Sequence, residues 1–315
     1  MKQYVISKND EGRRLDKFAS HILCNAPRSF TYKMLRKKNI VLNDAKASGS
    51  ELLSEGDVVK FYLSDETFAS FSEKSTPDPS LSGMMPKIVY EDEDILIVNK
   101  PSGMLSQRSA KNDVSLNEIC LAYVTHDPAG SGETSGNFTP SVCNRLDRNT
   151  SGLVIFAKTY RAARSVTLAI KEHTIRKYYK CIIYGSISSD MELSGKLIKD
   201  NATNTVSIST GQEGADIITL VHPLCTKNNR SLVEIELVTG KTHQIRAHMA
   251  SIGHPLIGDG KYGYADVNRE YEKKFGIRSQ MLVCYRLVFP DDPQLNDLAG
   301  KTVEIDIPED FKKVM

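Results

Sequence analysis

The sequence predicts an α+β protein in which a large, mixed but mostly antiparallel sheet follows a small basic N-terminal unit. Three observations carry this. From Lys87 onward the apolar runs are short and strand-like: KIVYE, DILIVNK, GLVIFAK, YYKCIIYG, LVEIELVTG, MLVCYRLVF and TVEIDIP. Only two clear helical patterns interrupt them, too few for a regular βαβ array. Residues 64–86, SDETFASFSEKSTPDPSLSGMMP, are rich in Ser, Pro and acidic residues, lack periodicity, and read as a linker between 1–63 and 87–315. A chain of 315 residues is long enough for two such cores.

Taken in order, RRLDKFASHIL places Leu15, Phe18, Ala19 and Ile22 on one helical face. PRSFTYKMLRKKN starts a second helix at Pro27 and Ser29, with Phe30, Met34 and Leu35 inward. A strand, an Asn43-Asp44 turn, a turn at Glu55-Gly56-Asp57 and a closing strand complete the unit. In the larger part, a helix from Thr159 buries Ala162, Ala163, Val166, Ala169 and Ile170, and another from Thr242 to Ile252 stops at Gly253.

Charge is unevenly distributed. Residues 1–63 carry a net +5, the linker −3, and 87–315 zero, within a total of +2. Arg13, Arg14, Lys17, Arg28, Lys33, Arg36, Lys37 and Lys38 are nearly unopposed, a footprint expected of phosphate binding and equally of a plain solvated face. Neither a membrane span nor a secretory leader is readable, so a cytoplasmic protein is expected. The six cysteines lie far apart, mostly in apolar runs, and read as reduced, buried thiols. His243, His248 and His254 are spaced five and six apart, which is not a metal-ligand spacing, so no metal is expected. Gly258-Asp-Gly260-Lys-Tyr-Gly263 has the letters of a dinucleotide fingerprint without its strand-to-helix context, and Gly240-Lys-Thr242 lacks the first glycine of a phosphate loop. No nucleotide cofactor is expected, and Asp259, in the glycine loop, shows no sign of serving as a catalytic acid.

The stretch CNRLDRNTSGLVIFAK, residues 143–158, sets Asp147 between two arginines and ahead of a Thr-Ser-Gly turn. Such a cluster is either a solvated turn or a carboxylate kept ionised for use as a base or nucleophile. NRLDRNTSGL resembles the signature of the RluA-type pseudouridine synthases, HRLDxxTSGL. DILIVNKPSGM at 94–104, RKYYKCIIYG at 176–185 and LVTGKTHQIRAHMASIGHPLIGDGKYG at 237–263 follow in that family's order. The resemblance covers 87–289. It implies the family's catalytic fold and an enzyme that detaches uracil from ribose within RNA, rotates it and rejoins it through carbon 5, without cofactor or metal. It further implies that Asp147 is the catalytic aspartate, Arg246 its partner, Tyr179 rather than Tyr178 the active-site tyrosine, and Arg145 a substrate-binding residue that fills the space left by an extruded base. Asn144 departs from the usual histidine.

Residues 14–63, from RLDKF through the basic helix ending KKNIVLN to EGDVV, resemble the α-L RNA-binding module of a ribosomal small-subunit protein. This implies that Arg14, Lys17, Arg28, Lys33, Arg36, Lys37 and Lys38 face structured RNA, ribosomal in preference to transfer RNA, in a monomeric protein. The competing expectation is an RNA-binding or ribosome-assembly factor without activity, and a glycoside hydrolase would need a second acid opposite Asp147.

Overall fold

The computed structural model describes residues 1–72, 81, 83–110, 113–126, 138–200, 203, 205–209, 211 and 213–315. Part of the expected linker tract, 73–80 and 82, lies outside the described residues.

The N-terminal elements are β1 (Lys2–Val5), α1 (Leu15–Ile22), α2 (Arg28–Arg36), β2 (Ile40–Leu42), β3 (Ala45–Lys46) and β4 (Val58–Phe61). The strands form an antiparallel sheet of order β1-β4-β2-β3. Asn43 and Asp44, both at positive φ, make the β2–β3 turn, where left-handed backbone favours such residues. Leu15, Phe18, Ala19 and Ile22 of α1 and Met34 and Leu35 of α2 are buried against Ile40, Val59 and Phe61. One expectation fails here: residues 65–72 are not featureless but form α3 (Asp65–Ser72). Its Phe68 and Phe71 pack on the same core, Phe71 beside Phe30 at 4.6 Å between ring centroids, and this burial supplies what the weak sequence pattern lacks.

The rest builds one sheet of order β11-β10-β12-β13-β9-β14-β8-β6-β5, with β15 on β14 and β7 on β8. In chain order these are β5 (Ile88–Glu91), β6 (Ile95–Lys100), α4 (Leu116–His126), β7 (Ser141–Val142), β8 (Ser151–Ala157), α5 (Tyr160–Lys171), β9 (Arg176–Tyr184), β10 (Met191–Asp200), β11 (Thr205–Ser209), β12 (Ala215–Lys227), β13 (Arg230–Leu237), α6 (Gln244–Ser251), α7 (Ala265–Phe275), β14 (Leu282–Val288), β15 (Thr302–Glu304) and α8 (Glu309–Val314). Among the described residues the β8–β14 pair is parallel and the other pairs antiparallel, so the α+β class holds. More helices interrupt the sheet than the two the pattern suggests. Apolar residues surround α4, which hides its period, and α7 is polar apart from the buried Tyr271 and its partly buried neighbours.

Gly152 fixes the central crossing. At φ +116 it lies so close to β14 that a Cβ would sit 2.1 Å from the Cys284 carbonyl oxygen, so the Thr-Ser-Gly turn requires glycine at this strand start. None of the six cysteines is in a disulfide, but Cys24 and Cys225 are exposed rather than buried, both near element ends where the surrounding apolar run does not fold inward.

Candidate active site

The loop between β7 and β8 carries Asp147, and it is braced from several directions. Ser106 Oγ donates to the Leu146 carbonyl at 2.9 Å and accepts from the Leu146 N–H at 3.0 Å. Ser102 Oγ donates to the Asn149 carbonyl at 2.9 Å. Lys100, at the end of β6 and fully buried, donates through Nζ to the carbonyls of Pro101 (3.0 Å), Met104 (2.7 Å) and Arg148 (2.9 Å). Burial pushes its amine down to about 8, against the pull of Asp147. Asn144 Oδ1 accepts from the Ile155 N–H at 2.7 Å and its Nδ2 donates to the Leu153 carbonyl at 3.3 Å, so its side chain serves as a backbone brace on β8.

Opposite this loop, α6 and the turn at 257–263 present Arg246. Its Nη1 donates to Asp147 Oδ2 at 3.0 Å. Its Nε and Nη2 donate to the two oxygens of Asp259 at 2.7 and 2.8 Å. Asp259 is fully buried and also accepts from the backbone N–H groups of Lys261 (2.9 Å) and Tyr262 (3.1 Å). The glycine loop is therefore a carboxylate cradle. Burial opposes the Arg246 charge, and Asp259 followed by Asp147 more than restores it. The buried Asp259 carboxyl is likewise held low by Arg246 and those backbone donors despite burial.

Tyr179 and Tyr178 point to opposite faces of β9. Tyr179 joins the core on the Asp147 side, where burial above all, then Cys284 and Asp147, pushes its hydroxyl well above the ordinary phenol value. It therefore stays a neutral phenol. Tyr178 lies on the other face, with the guanidinium carbons of Arg286 and Arg176 4.2 and 5.2 Å from its ring centroid. Arg145 is exposed at the rim, one residue from the buried Leu146.

Two residues with no expected role complete the site. His243 is the left-handed residue (φ 54) that starts α6; its Nε2 is 3.8 Å from Asp147 Oδ2 and its Nδ1 3.0 Å from the Tyr262 hydroxyl. The Arg246 guanidinium carbon is 5.1 Å from the Tyr262 ring centroid. The other histidines of the sequence group go elsewhere, His248 to Thr219 and His254 to the Tyr184 carbonyl. Among the described residues no three His, Cys, Asp or Glu side chains group as metal ligands would, and no helix is long and apolar enough to cross a membrane.

In the N-terminal unit Lys17, Arg28, Lys33, Arg36, Lys37 and Lys38 are exposed on or beside α1 and α2. Arg14 is exposed too but paired with Asp16, its Nε 3.0 Å from Oδ1, while Tyr32 donates to Asp16 Oδ2 at 2.7 Å. Arg13 is not part of a free basic face: it is buried, pairs with Asp10 at 3.3 Å, and stacks over Tyr160 of α5 at 5.3 Å.

Comparison with known proteins accords with this architecture. The family model described as RNA pseudouridylate synthase matches residues 94–251. The chain is 31% identical to ribosomal large subunit pseudouridine synthase D of Neisseria meningitidis, over 95% of this chain and 77% of that protein. It is 28% identical to ribosomal large subunit pseudouridine synthase C of Vibrio cholerae, over 96% of this chain and 91% of that one. The structure of human RNA pseudouridylate synthase domain containing 4 shares the fold, with a TM-score of 0.57 at 19% identity over 71% of this chain and 90% of that chain. The chain belongs to the RNA pseudouridylate synthase family and is an isomerase of uridine in RNA.

Proposed function

We propose that the protein converts uridines of large-subunit ribosomal RNA to pseudouridine, with Asp147 as the catalytic carboxylate, Arg246 as its cationic partner, Tyr179 against the uracil and Arg145 in the space the flipped nucleotide leaves. The observation that carries this is the Asp147–Arg246–Asp259 bridge. Arg246 is fixed by a fully buried carboxylate and still offers one N–H to Asp147, which is one-quarter exposed and so open to a ligand. A charged, orientated carboxylate of this kind can attack ribose carbon 1′ or remove a proton from the sugar, and either route begins detachment of the base. Tyr179, remaining neutral, keeps a proton to donate and an aromatic ring for the uracil. The base must leave the stack to reach Asp147, at a cost of a few kcal/mol.

The ribosomal target is supported by the names of the relatives from Neisseria and Vibrio. We assign residues 1–63 to an α-L RNA-binding domain and 87–315 to the catalytic domain of a cytoplasmic monomer. Since α3 packs on the N-terminal core, the linker within 64–86 properly begins after residue 72.

Asp147→Asn keeps size and hydrogen bonding and removes the anion. It should abolish tritium release from RNA labelled at uridine carbon 5 while RNA affinity stays near wild type, because phosphate contacts supply most of that affinity. Its unfolding midpoint is measured alongside, since Arg246 loses one acceptor. A folded variant that still releases tritium would sink the assignment.

A further inference from the structure

The half-buried pair His243 and Tyr262 lies beside the bridge and outside it. The Tyr262 hydroxyl oxygen accepts from the Val206 N–H of β11 at 2.8 Å. Its own hydrogen is thereby left for His243 Nδ1, 3.0 Å away. A neutral imidazole that accepts at Nδ1 must carry its proton on Nε2, the nitrogen facing Asp147 Oδ2. That oxygen already receives the Arg246 Nη1 donor at 3.0 Å. At 3.8 Å the His243 contact attracts without being a formed hydrogen bond, and a carboxylate rotation of roughly 1 Å would close it.

We infer that His243 is a positioning residue for Asp147: the Tyr262 hydroxyl sets its tautomer, and its Nε2–H steers Oδ2 so that Oδ1 is presented to the substrate. Because Tyr262 is tied to Val206, the same chain of contacts links the β10–β11 hairpin to the aspartate. The inference rests on the catalytic role proposed for Asp147.

The groups that face the ring are Asp147 from the β7–β8 loop, Arg246 from α6, and Asp259, Lys261 and Tyr262 from the turn at 257–263. Burial holds the imidazole below its ordinary value; Asp147 pulls it up, Arg246 and Lys261 push it further down, and Asp259 opposes them. It is neutral at pH 7 and becomes a cation only in acid. There an imidazolium would pair with Asp147 and withdraw the free carboxylate from the reaction.

The left-handed backbone at His243 supplies the control. Asparagine suits φ 54 better than glutamine does, yet only glutamine reaches as far as Nε2. If the side chain positions Asp147, His243→Asn lowers kcat about 10–100-fold with KM little changed, since misplacing a reacting group by an ångström costs that much, and His243→Gln recovers most of the loss. The Gln variant should also lose the acid limb of the kcat profile. If asparagine is as active as glutamine, His243 serves only to start α6 and the inference is overturned.

Nitrogen-15 NMR of the histidine-labelled full chain gives a readout independent of turnover. The Nε2–H tautomer is expected, with a titration midpoint below the ordinary histidine value that falls further in Asp147→Asn, because a group that raises it has gone. An Nδ1–H tautomer, or a midpoint unmoved by Asp147→Asn, overturns the inference even where the wild-type protein modifies no RNA. That last outcome would by itself sink only the functional reading.

Discussion

Tyr178 and Tyr179 are neighbours in β9, and the strand's pleat sends one to each face of the sheet. Tyr179→Phe keeps the ring and removes the proton that a neutral, buried phenol holds, so turnover should fall at least tenfold while RNA binding stays within a few fold. Tyr178→Phe removes only a hydroxyl that interacts with Glu236, on the face where Arg176 and Arg286 lie against the ring, and should leave turnover unchanged. Pseudouridine counts in a defined transcript check both; the reverse result would put the site on the wrong face. The proposed site residues Asp147, Tyr179 and Arg246 can be read from the sequence only through the family resemblance, because each lies in a run that matches one of its motifs. The role of Asp259 cannot. Its GDGKYG context invites a search for a nucleotide loop, and its role exists only where the turn brings it against Arg246, 13 residues earlier in the chain. His243 and Tyr262 were obscured for the same reason, since histidine after threonine at a helix start has no pattern of its own. Asn144, a departure as a letter, has an ordinary function as a brace for β8.

At the scale of elements, the strands with β-branched and aliphatic runs were readable, whereas α4, α7 and α3 were not, because tertiary burial rather than periodicity decides them. The end of β6 shows how an element serves the site. Lys100 uses three ammonium protons on three carbonyls, joining the 101–104 turn to the loop that carries Asp147. With its amine at about 8, the folded protein gives up this proton before the unfolded chain does. Between that pH and the ordinary lysine value the unfolded state binds more protons, so the Lys100 contribution to stability rises with pH. Activity should move the other way, because a neutral amine retains two donors for three carbonyls and loosens the Asp147 loop. Urea unfolding and tritium release across pH 7–10, each compared with Lys100→Met, should therefore give slopes of opposite sign relative to that variant. Parallel slopes would mean that the tether does not matter to the chemistry.

For the whole molecule, the proposed division of labour follows the charge. The segment 1–63 carries a net +5 and the segment 87–315 a net zero, so the larger part has little long-range attraction for RNA of its own. The N-terminal core of α1, α2, β2 and β4 is separate from that of the large sheet, and α3 belongs to it. Among the described residues, contacts between the two include Arg13 stacked on Tyr160, and Gly12, which approaches Arg164 closely enough that a Cβ would meet its guanidinium at 2.4 Å. Such an interface orients the basic face without merging the cores. Deletion should therefore be made after residue 72 rather than 63, because stopping earlier would strip Phe68 and Phe71 of their cover. The remaining chain should fold, bind RNA more weakly, and show a log–log salt slope shallower by about 0.7–0.9 for each phosphate it no longer neutralises. Changing Lys33, Arg36, Lys37 and Lys38 together to Gln in the full chain removes charge but no core residue, so it should reproduce much of the change in slope with an unaltered unfolding midpoint. If both proteins keep the wild-type slope, RNA is gripped by the catalytic rim around Arg145 instead. A change on deletion that the four Gln substitutions fail to reproduce would place the gripping residues on α1 and the start of α2, at Lys17 and Arg28.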